Sequence, residues 1–309
     1  MQKINKPIFI FGVGRSGTSL LQSMLNAHPD IAFLPETHFF RKYIIKQAFN
    51  GLTREEILSL LREDDDFKRA KISEVQISDN LPDDELESEM SWFNALAKAY
   101  LDEKQKHHLG DKDPRNMDFV SELKHFFPDA RVIHLMRDPR DVVLSRTKAD
   151  WSKSWPFFLH AYIYRAQMPR GRRLGKKYFG EAYLELNYET LIGNAEETLK
   201  QICVHVGVDY DPAMLAFSES AKELVSAHEV SWKKETFGPL LTSNTRKWEK
   251  EFSDYQIAMI QKVNGFIFKN GYERHPVKLP FYKHLALTMH QMLSWAFMLV
   301  YPWRLKLKK

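Results

Sequence analysis

The chain has 309 residues, 44% of them hydrophobic and 13% aromatic, with a formal net charge of +5. That is ample apolar material for one large α/β domain, or one domain with appendages, and it excludes a disordered chain. Arg304, Lys306, Lys308 and Lys309 crowd into the last six residues, so the body is close to neutral and lacks the basic stripe of a nucleic-acid binder.

In chain order, Pro7 to Phe11 is a short apolar run suited to a buried parallel strand. A glycine-rich turn, Gly12 to Ser16, follows, and Thr18 to Ala27 reads as a helix with Leu20, Leu21, Met24 and Leu25 on one face. Ile31 to Leu34 is a short strand. Residues 53–66 and 82–106 look helical and charged, with Glu63 to Asp66 expected as a solvated loop. Arg131 to Met136 is a second convincing buried strand, and Asp138-Pro139 forms an N-cap and first-turn pair opening a helix that runs past Ser145. Tyr183 to Asn187 is another strand, followed by a helix to about Val206. Strands alternating with helices predict βαβ units and a central, mainly parallel sheet flanked by helices.

The turn after the first strand carries chemistry. In Gly12-Val13-Gly14-Arg15-Ser16-Gly17-Thr18-Ser19, backbone N–H groups and a helix N-terminus converge as in a phosphate-binding loop. Gly12, Gly17 and Ser19 fit the triphosphatase pattern G-x-x-x-x-G-K-[ST], but Thr18 stands where the lysine belongs. A triphosphatase needs that lysine and Mg²⁺. Here the cation is Arg15, which can grip an anion with two parallel hydrogen bonds, and Thr18 and Ser19 add hydroxyl donors. Such a loop suits a 5′-phosphosulfate and calls for no metal. The adjacent His107-His108 pair points different ways on a helix and has no further ligand set at useful spacing.

The segment PIFIFGVGRSGTSLLQSMLNAHPDIAFLPET closely resembles the start of the sulfotransferase catalytic domain, nearest the tyrosylprotein, Golgi-type and bacterial branches, which carry R-S-G-T. The resemblance covers roughly residues 7–250. It implies a P-loop-like three-layer fold that binds 3′-phosphoadenosine-5′-phosphosulfate (PAPS) through Gly14, Arg15, Ser16, Gly17, Thr18 and Ser19. By the same resemblance Arg137, at a strand end, and Ser145, eight residues on, hold the 3′-phosphate. The reaction implied is in-line transfer of the sulfuryl group to an acceptor hydroxyl or amine, with release of the product nucleotide PAP. Glu36, in Pro35-Glu36-Thr37, matches the family's general base, with His38 as its rival; Lys112, in Gly110-Asp111-Lys112-Asp113-Pro114, matches a lysine that contacts the transferred group, shared with Arg15. Tyr188 corresponds to a tyrosine near the adenine nucleotide. Arg246 and Lys247, before Trp248, correspond to a basic residue that reaches the phosphates, although the R-K-G-x-x-G pattern of the cytosolic branch is missing. Carbohydrate, lipid-linked glycan and protein tyrosine are all candidate acceptors. The rival functions are a P-loop kinase or triphosphatase with an altered loop, and an inactive nucleotide-binding scaffold at a membrane.

Two ring-rich segments remain. Trp151, Trp155, Phe157, Phe158, Tyr162 and Tyr164 make an aromatic stripe, more often core than ligand box, but able to stack an acceptor if exposed near Glu36. Residues 279–309 form a second unit beyond a catalytic domain of residues 1–278. His284 to Trp303 is 20 residues without a formal charge, read as an amphipathic helix with His284, Thr288, Gln291 and Ser294 near one face. It packs on the body, lies in a membrane interface beside its basic tail, or spans the bilayer. The single cysteine, Cys203, excludes an intrachain disulfide, and MQKINKPIFIFGVG has no long apolar run before a cleavage site. The expected location is therefore cytoplasmic, with a peripheral position at the inner membrane face.

Overall fold

The computed structural model describes residues 6–81, 88–226, 229–233, 236–269 and 271–306. Its centre is a five-stranded sheet of β1 (Ile8–Phe11), β2 (Ile31–Phe33), β3 (His108–Asp111), β4 (Arg131–Met136) and β5 (Tyr183–Asn187) in the order β2-β3-β1-β4-β5. Every pairing is parallel; Ile8 sits between Gly110 and Arg131 and Met136 lies beside Asn187. Along β1 the side chains alternate, as strand geometry requires. Phe9 and Phe11 join one apolar core and Ile8 and Ile10 the other, so both faces of the sheet are covered and the fold has three layers.

The helices in chain order are α1 (Thr18–Asn26), α2 (Arg54–Glu63), α3 (Asp65–Lys68), α4 (Glu74–Ser78), α5 (Glu89–Lys104), α6 (Val120–Phe126), α7 (Pro139–Lys148), α8 (Phe157–Phe179), α9 (Tyr188–Gly193), α10 (Ala195–Val206), α11 (Ser218–Leu224), α12 (Val230–Lys233), α13 (Trp248–Glu251), α14 (Asp254–Val263) and α15 (Phe281–Lys306). Asp138 caps α7 by accepting from the Arg140 N–H at 2.8 Å, with Pro139 in the first turn, as the sequence leads one to expect.

Several expectations need correction. Glu63 to Asp66 is not a free loop: Asp64 caps α3 and accepts from Lys42 Nζ at 2.7 Å and from the Tyr43 hydroxyl. The 82–106 helix starts only at Glu89, and residues 82–87 lie outside the described residues. His107 and His108 are not on a helix. His108 opens β3, and both rings face Asp30. The helix after β5 breaks at Asn194, whose φ of −143° is not helical.

The α15 helix lies against α8 and α14 and buries Leu287, Ser294 and Tyr301, seven residues apart. Its other face leaves Phe281, Leu285, Met292, Leu299 and Trp303 largely exposed. The polar stripe expected from the sequence does not face the protein as a unit: Ser294 is buried, Gln291 is half-buried, and His284 and Thr288 are exposed among the apolar residues, while His290 Nδ1 pairs with the Tyr162 hydroxyl at 2.7 Å and the Tyr301 hydroxyl donates to Asp118 at 3.0 Å. No helix among the described residues is long and apolar enough to cross a membrane.

Candidate active site

In a parallel sheet the segments leaving the carboxyl ends of the strands converge along one edge. Here those segments begin at Gly12, Leu34, Lys112, Arg137 and Tyr188, and together they build the site.

The loop between β1 and α1 is tightly specified. A Cβ on Gly12 would meet Thr18 Cγ2 at 2.6 Å and the Leu135 carbonyl oxygen at 2.9 Å. Gly17 has φ +91°, and a Cβ there would lie 2.3 Å from the Tyr188 ring, which therefore rests directly on the loop. The Arg137 guanidinium stacks over the other part of this arrangement, 4.2 Å from the Tyr188 ring centroid. Arg137 also donates to the carbonyl oxygens of Arg15 at 3.3 Å and Asn244 at 3.0 Å, and Asn244 Nδ2 donates to the Tyr188 hydroxyl at 2.8 Å. Arg15, at φ +82°, sends its Nε to Ser145 Oγ at 2.9 Å. A cleft opens among these groups, lined by Arg15, Gly17, Thr18, Ser19, Arg137 and Tyr188 on one side and by Lys233, Thr236 and Asn244 on the other. Two buried donors, Arg137 Nε in its lining and Ser16 Oγ in the adjoining loop, have no hydrogen-bond partner among the described residues. Buried donors are normally satisfied, so two spare ones, one on the loop and one at the end of β4, fit an anionic ligand.

Beside the cleft lies a buried charge cluster. The Lys112 side chain is 1% exposed, so it is no surface ion pair. Its Nζ donates to Glu36 Oε1 and reaches Ser19 Oγ at 3.3 Å. Lys233 Nζ donates to the same Glu36 oxygen at 2.8 Å and to Glu229 Oε1 at 2.6 Å, and Arg69 Nη2 closes the chain on Glu229 at 3.2 Å. Burial alone would raise the Glu36 carboxyl, but Lys112 and Lys233 outweigh it and hold Glu36 well below the usual carboxylate range. Burial pulls Lys112 down, against Glu36. Behind it, burial and the nearby Asp113 push Asp111 up to about 6, where Asn116 Nδ2 donates to it at 2.7 Å. His38 Nδ1 is taken by Asp113 Oδ2 at 2.8 Å, which raises the ring against its burial, and Arg41 Nε joins the same oxygen at 3.1 Å.

On the far side of Glu36 a second, roomier pocket opens, about 1270 Å³ with its mouth against about 580 Å³ for the cleft. Glu36, His38, Gly14, Arg146, Trp151 and Trp155 line it, with Tyr301 from α15. The aromatic stripe therefore divides. Tyr162 and Tyr164 are core at 4% and 0% exposure, while Trp151 and Trp155, at 42% and 36%, face this pocket.

The structure thus gathers Arg15, Gly17, Thr18, Ser19, Glu36, Lys112, Arg137 and Tyr188 around one site, with Gly14 turned to the second pocket, Ser145 attached through Arg15, and Ser16 buried in the loop without lining either pocket. It does not bring Arg246 or Lys247 into the cleft. The Arg246 and Trp248 N–H groups are tied down by Asp141, and the Arg246 side chain pairs with Glu249 at 2.7 Å and borders a separate cavity. Sequence reasoning missed Lys233 and Asn244. The only local signal for Lys233 is Glu229 four residues earlier, a spacing common on any helix surface. Among the described residues no group of three or more His, Cys, Asp or Glu could hold a metal ion.

Residues 7–212 match the model of the sulfotransferase family. That is well over half of the chain, and the chain belongs to this family. Human protein-tyrosine sulfotransferase 1 is 30% identical over 144 residues, which cover 45% of this chain and 33% of that protein. An uncharacterized protein of Aquifex aeolicus is 22% identical over 286 residues, covering 87% of this chain and 33% of its own length. The chain therefore spans about a third of the length of these relatives. Among solved structures, the sulfotransferase domain of the Synechococcus PCC 7002 olefin synthase aligns with a TM-score of 0.57 at 21% identity, covering 94% of this chain and 95% of that one, a likeness of fold.

Proposed function

We propose that this chain is a PAPS-dependent sulfotransferase acting on a hydroxyl acceptor. The observation that carries the reading is the position of Lys112, a buried ammonium that bridges the Ser19 hydroxyl of the phosphate loop and the Glu36 carboxylate. One cation thereby joins the donor site to the base. The loop N–H groups, Thr18 and Ser19 hold the 5′-phosphosulfate, and Arg137 holds the 3′-phosphate. The acceptor oxygen attacks sulfur from the side of the second pocket. The bond from sulfur to the 5′-phosphate oxygen breaks, PAP leaves with the electron pair, and the acceptor proton passes to Glu36. Before PAPS arrives, Glu36 is a poor base because two lysines hold it acidic. An incoming phosphosulfate draws Lys112 and Lys233 toward itself, which loosens their hold and makes the carboxylate more basic when it is needed.

The test is calorimetric titration of the protein with PAP, and with ATP plus Mg²⁺. Tight PAP binding with weak ATP binding is expected. Preference for Mg-ATP overturns the assignment of Arg137 and favours the kinase alternative; among the described residues that line the cleft there is no carboxylate, which favours the phosphosulfate.

We also propose that the protein works from the cytoplasmic face of a membrane, held there by α15. The outward face of this helix exposes Phe281, Leu285, Met292, Leu299 and Trp303, interrupted by His284 and Thr288, and the sequence beyond Glu273 contains no acidic residue while including Arg274, Lys278, Lys283, Arg304, Lys306, Lys308 and Lys309. Exposed apolar surface flanked by uncompensated cations suits an anionic lipid surface. The full chain should pellet with phosphatidylglycerol vesicles and not with phosphatidylcholine ones. A Leu285→Glu, Met292→Glu, Leu299→Glu variant should stay in the supernatant and still bind PAP. Continued pelleting of that variant refutes the membrane assignment.

A further inference from the structure

The second pocket contains three arginines, and they differ in one respect. Arg41 pairs with Asp113 at 3.1 Å, and Arg115 pairs with Asp118 at 3.5 Å. Arg146, on α7, is the most deeply placed at 4% exposure, and no carboxylate among the described residues pairs with it. Its Nε is buried without a hydrogen-bond partner. Its guanidinium stacks 4.8 Å from Trp151 and 5.8 Å from Trp155, and Gly14 leaves it room, since a Cβ there would stand 3.4 Å from Arg146 Nη1. Burial pulls Arg146 down to about 10, with Arg15 adding repulsion, so it keeps its proton at neutral pH. A buried guanidinium lacking an anion is costly. Two indole rings flank it, its Nε is left without a partner, and the residue lines the pocket.

We propose that Arg146 is an anion-binding subsite for the acceptor, which would carry, beside the hydroxyl that takes the sulfuryl group, a second group of phosphate or carboxylate type on a flat ring that packs against Trp151 and Trp155. This rests on reading the second pocket as the acceptor side. Two oxygens of a carboxylate or phosphate match the fork of an arginine, and the exposed indoles offer stacking surface to the ring that bears it.

The experiment uses the full chain saturated with PAP and titrated calorimetrically with phenyl phosphate, with benzoate and with phenol. Phenyl phosphate or benzoate should bind better than phenol. Arg146→Met should weaken the anionic probe by about tenfold or more, the lower range for a charged hydrogen bond, leave phenol unchanged, and keep PAP affinity within about twofold. Arg146→Lys, which retains the charge and loses the fork, should fall between, and it decides the matter if the Met variant does not fold. Anionic and neutral probes weakening together would show a packing role and overturn the proposal. Loss of PAP affinity in step with the anionic probe would place Arg146 in the nucleotide site and overturn it too. Failure of wild-type protein to bind PAP at all would instead sink the sulfotransferase reading, so the two failures are distinguishable.

Discussion

Replacing Glu36 by glutamine separates catalysis from binding and from stability. The substitution keeps the shape and one acceptor oxygen but removes the charge that Lys112 and Lys233 share. Loss of a general base costs about 10²–10⁴ in turnover, so sulfuryl transfer to a hydroxyl acceptor at saturating PAPS should fall by that much. Binding should not fall. Both lysines, released from the carboxylate, remain beside the phosphate loop, and PAP affinity should stay within about threefold or improve. Stability carries its own signature. Removing one partner of a buried ion pair costs about 3–5 kcal/mol. The lower end applies because glutamine still accepts a hydrogen bond and Lys233 keeps Glu229 at 2.6 Å.

The pH dependence of that loss has a definite sign. The folded-state affinity of Glu36 for a proton is depressed, so its contribution is fully present above the unfolded carboxylate value of about 4.3 and disappears as pH falls through the lower folded value. The difference in denaturant stability between wild type and Glu36→Gln should be flat from about pH 5 to 8 and shrink below about pH 4.3. Turnover within about threefold of wild type refutes Glu36 as the base. A matching loss in His38→Gln would then move that role to His38, whose Nε2 is the ring nitrogen left over from the Asp113 bond.

Arg137→Ala should weaken PAP binding by about 1.5–3 kcal/mol, the scale of a charged hydrogen bond, in calorimetry; an unchanged affinity removes Arg137 from the site. Gly17→Ala places a side chain at φ +91° and against the Tyr188 ring, so it should abolish PAP binding and lower stability by about 1–3 kcal/mol in denaturant titration. Lys233→Met removes one of the two cations that hold Glu36 acidic, so the acidic limb of the pH–rate profile should move to higher pH; a limb that stays put shows that Lys233 does not act on Glu36. Arg246→Ala should leave PAP affinity within about twofold, because its side chain is spent on Glu249; a tenfold loss would restore the role that the family resemblance implies.

The parts of the fold legible in the sequence are those written in local chemistry. β1 is a continuous apolar run and β4 an apolar one interrupted by His134, and Asp138-Pro139 is a start signal that needs no tertiary context. β3 escapes because His108-Leu109-Gly110-Asp111 has neither alternation nor β-branched residues; it pairs between β2 and β1, and Gly110 there makes room for the Phe33 ring, which would lie 2.5 Å from any Cβ. The site divides in the same way. Arg15, Glu36 and Arg137 sit where a motif places them, directly after a strand. Lys233 belongs to no motif and reaches Glu36 across 197 positions of chain. The lysine absent from the phosphate loop is in this sense present in space, supplied by Lys112 from the end of β3 and by Lys233 from α12. A motif records which groups share a loop. The charge balance around Glu36 depends on groups from three separate segments, and only the folded chain shows that the carboxylate faces two ammonium groups rather than one.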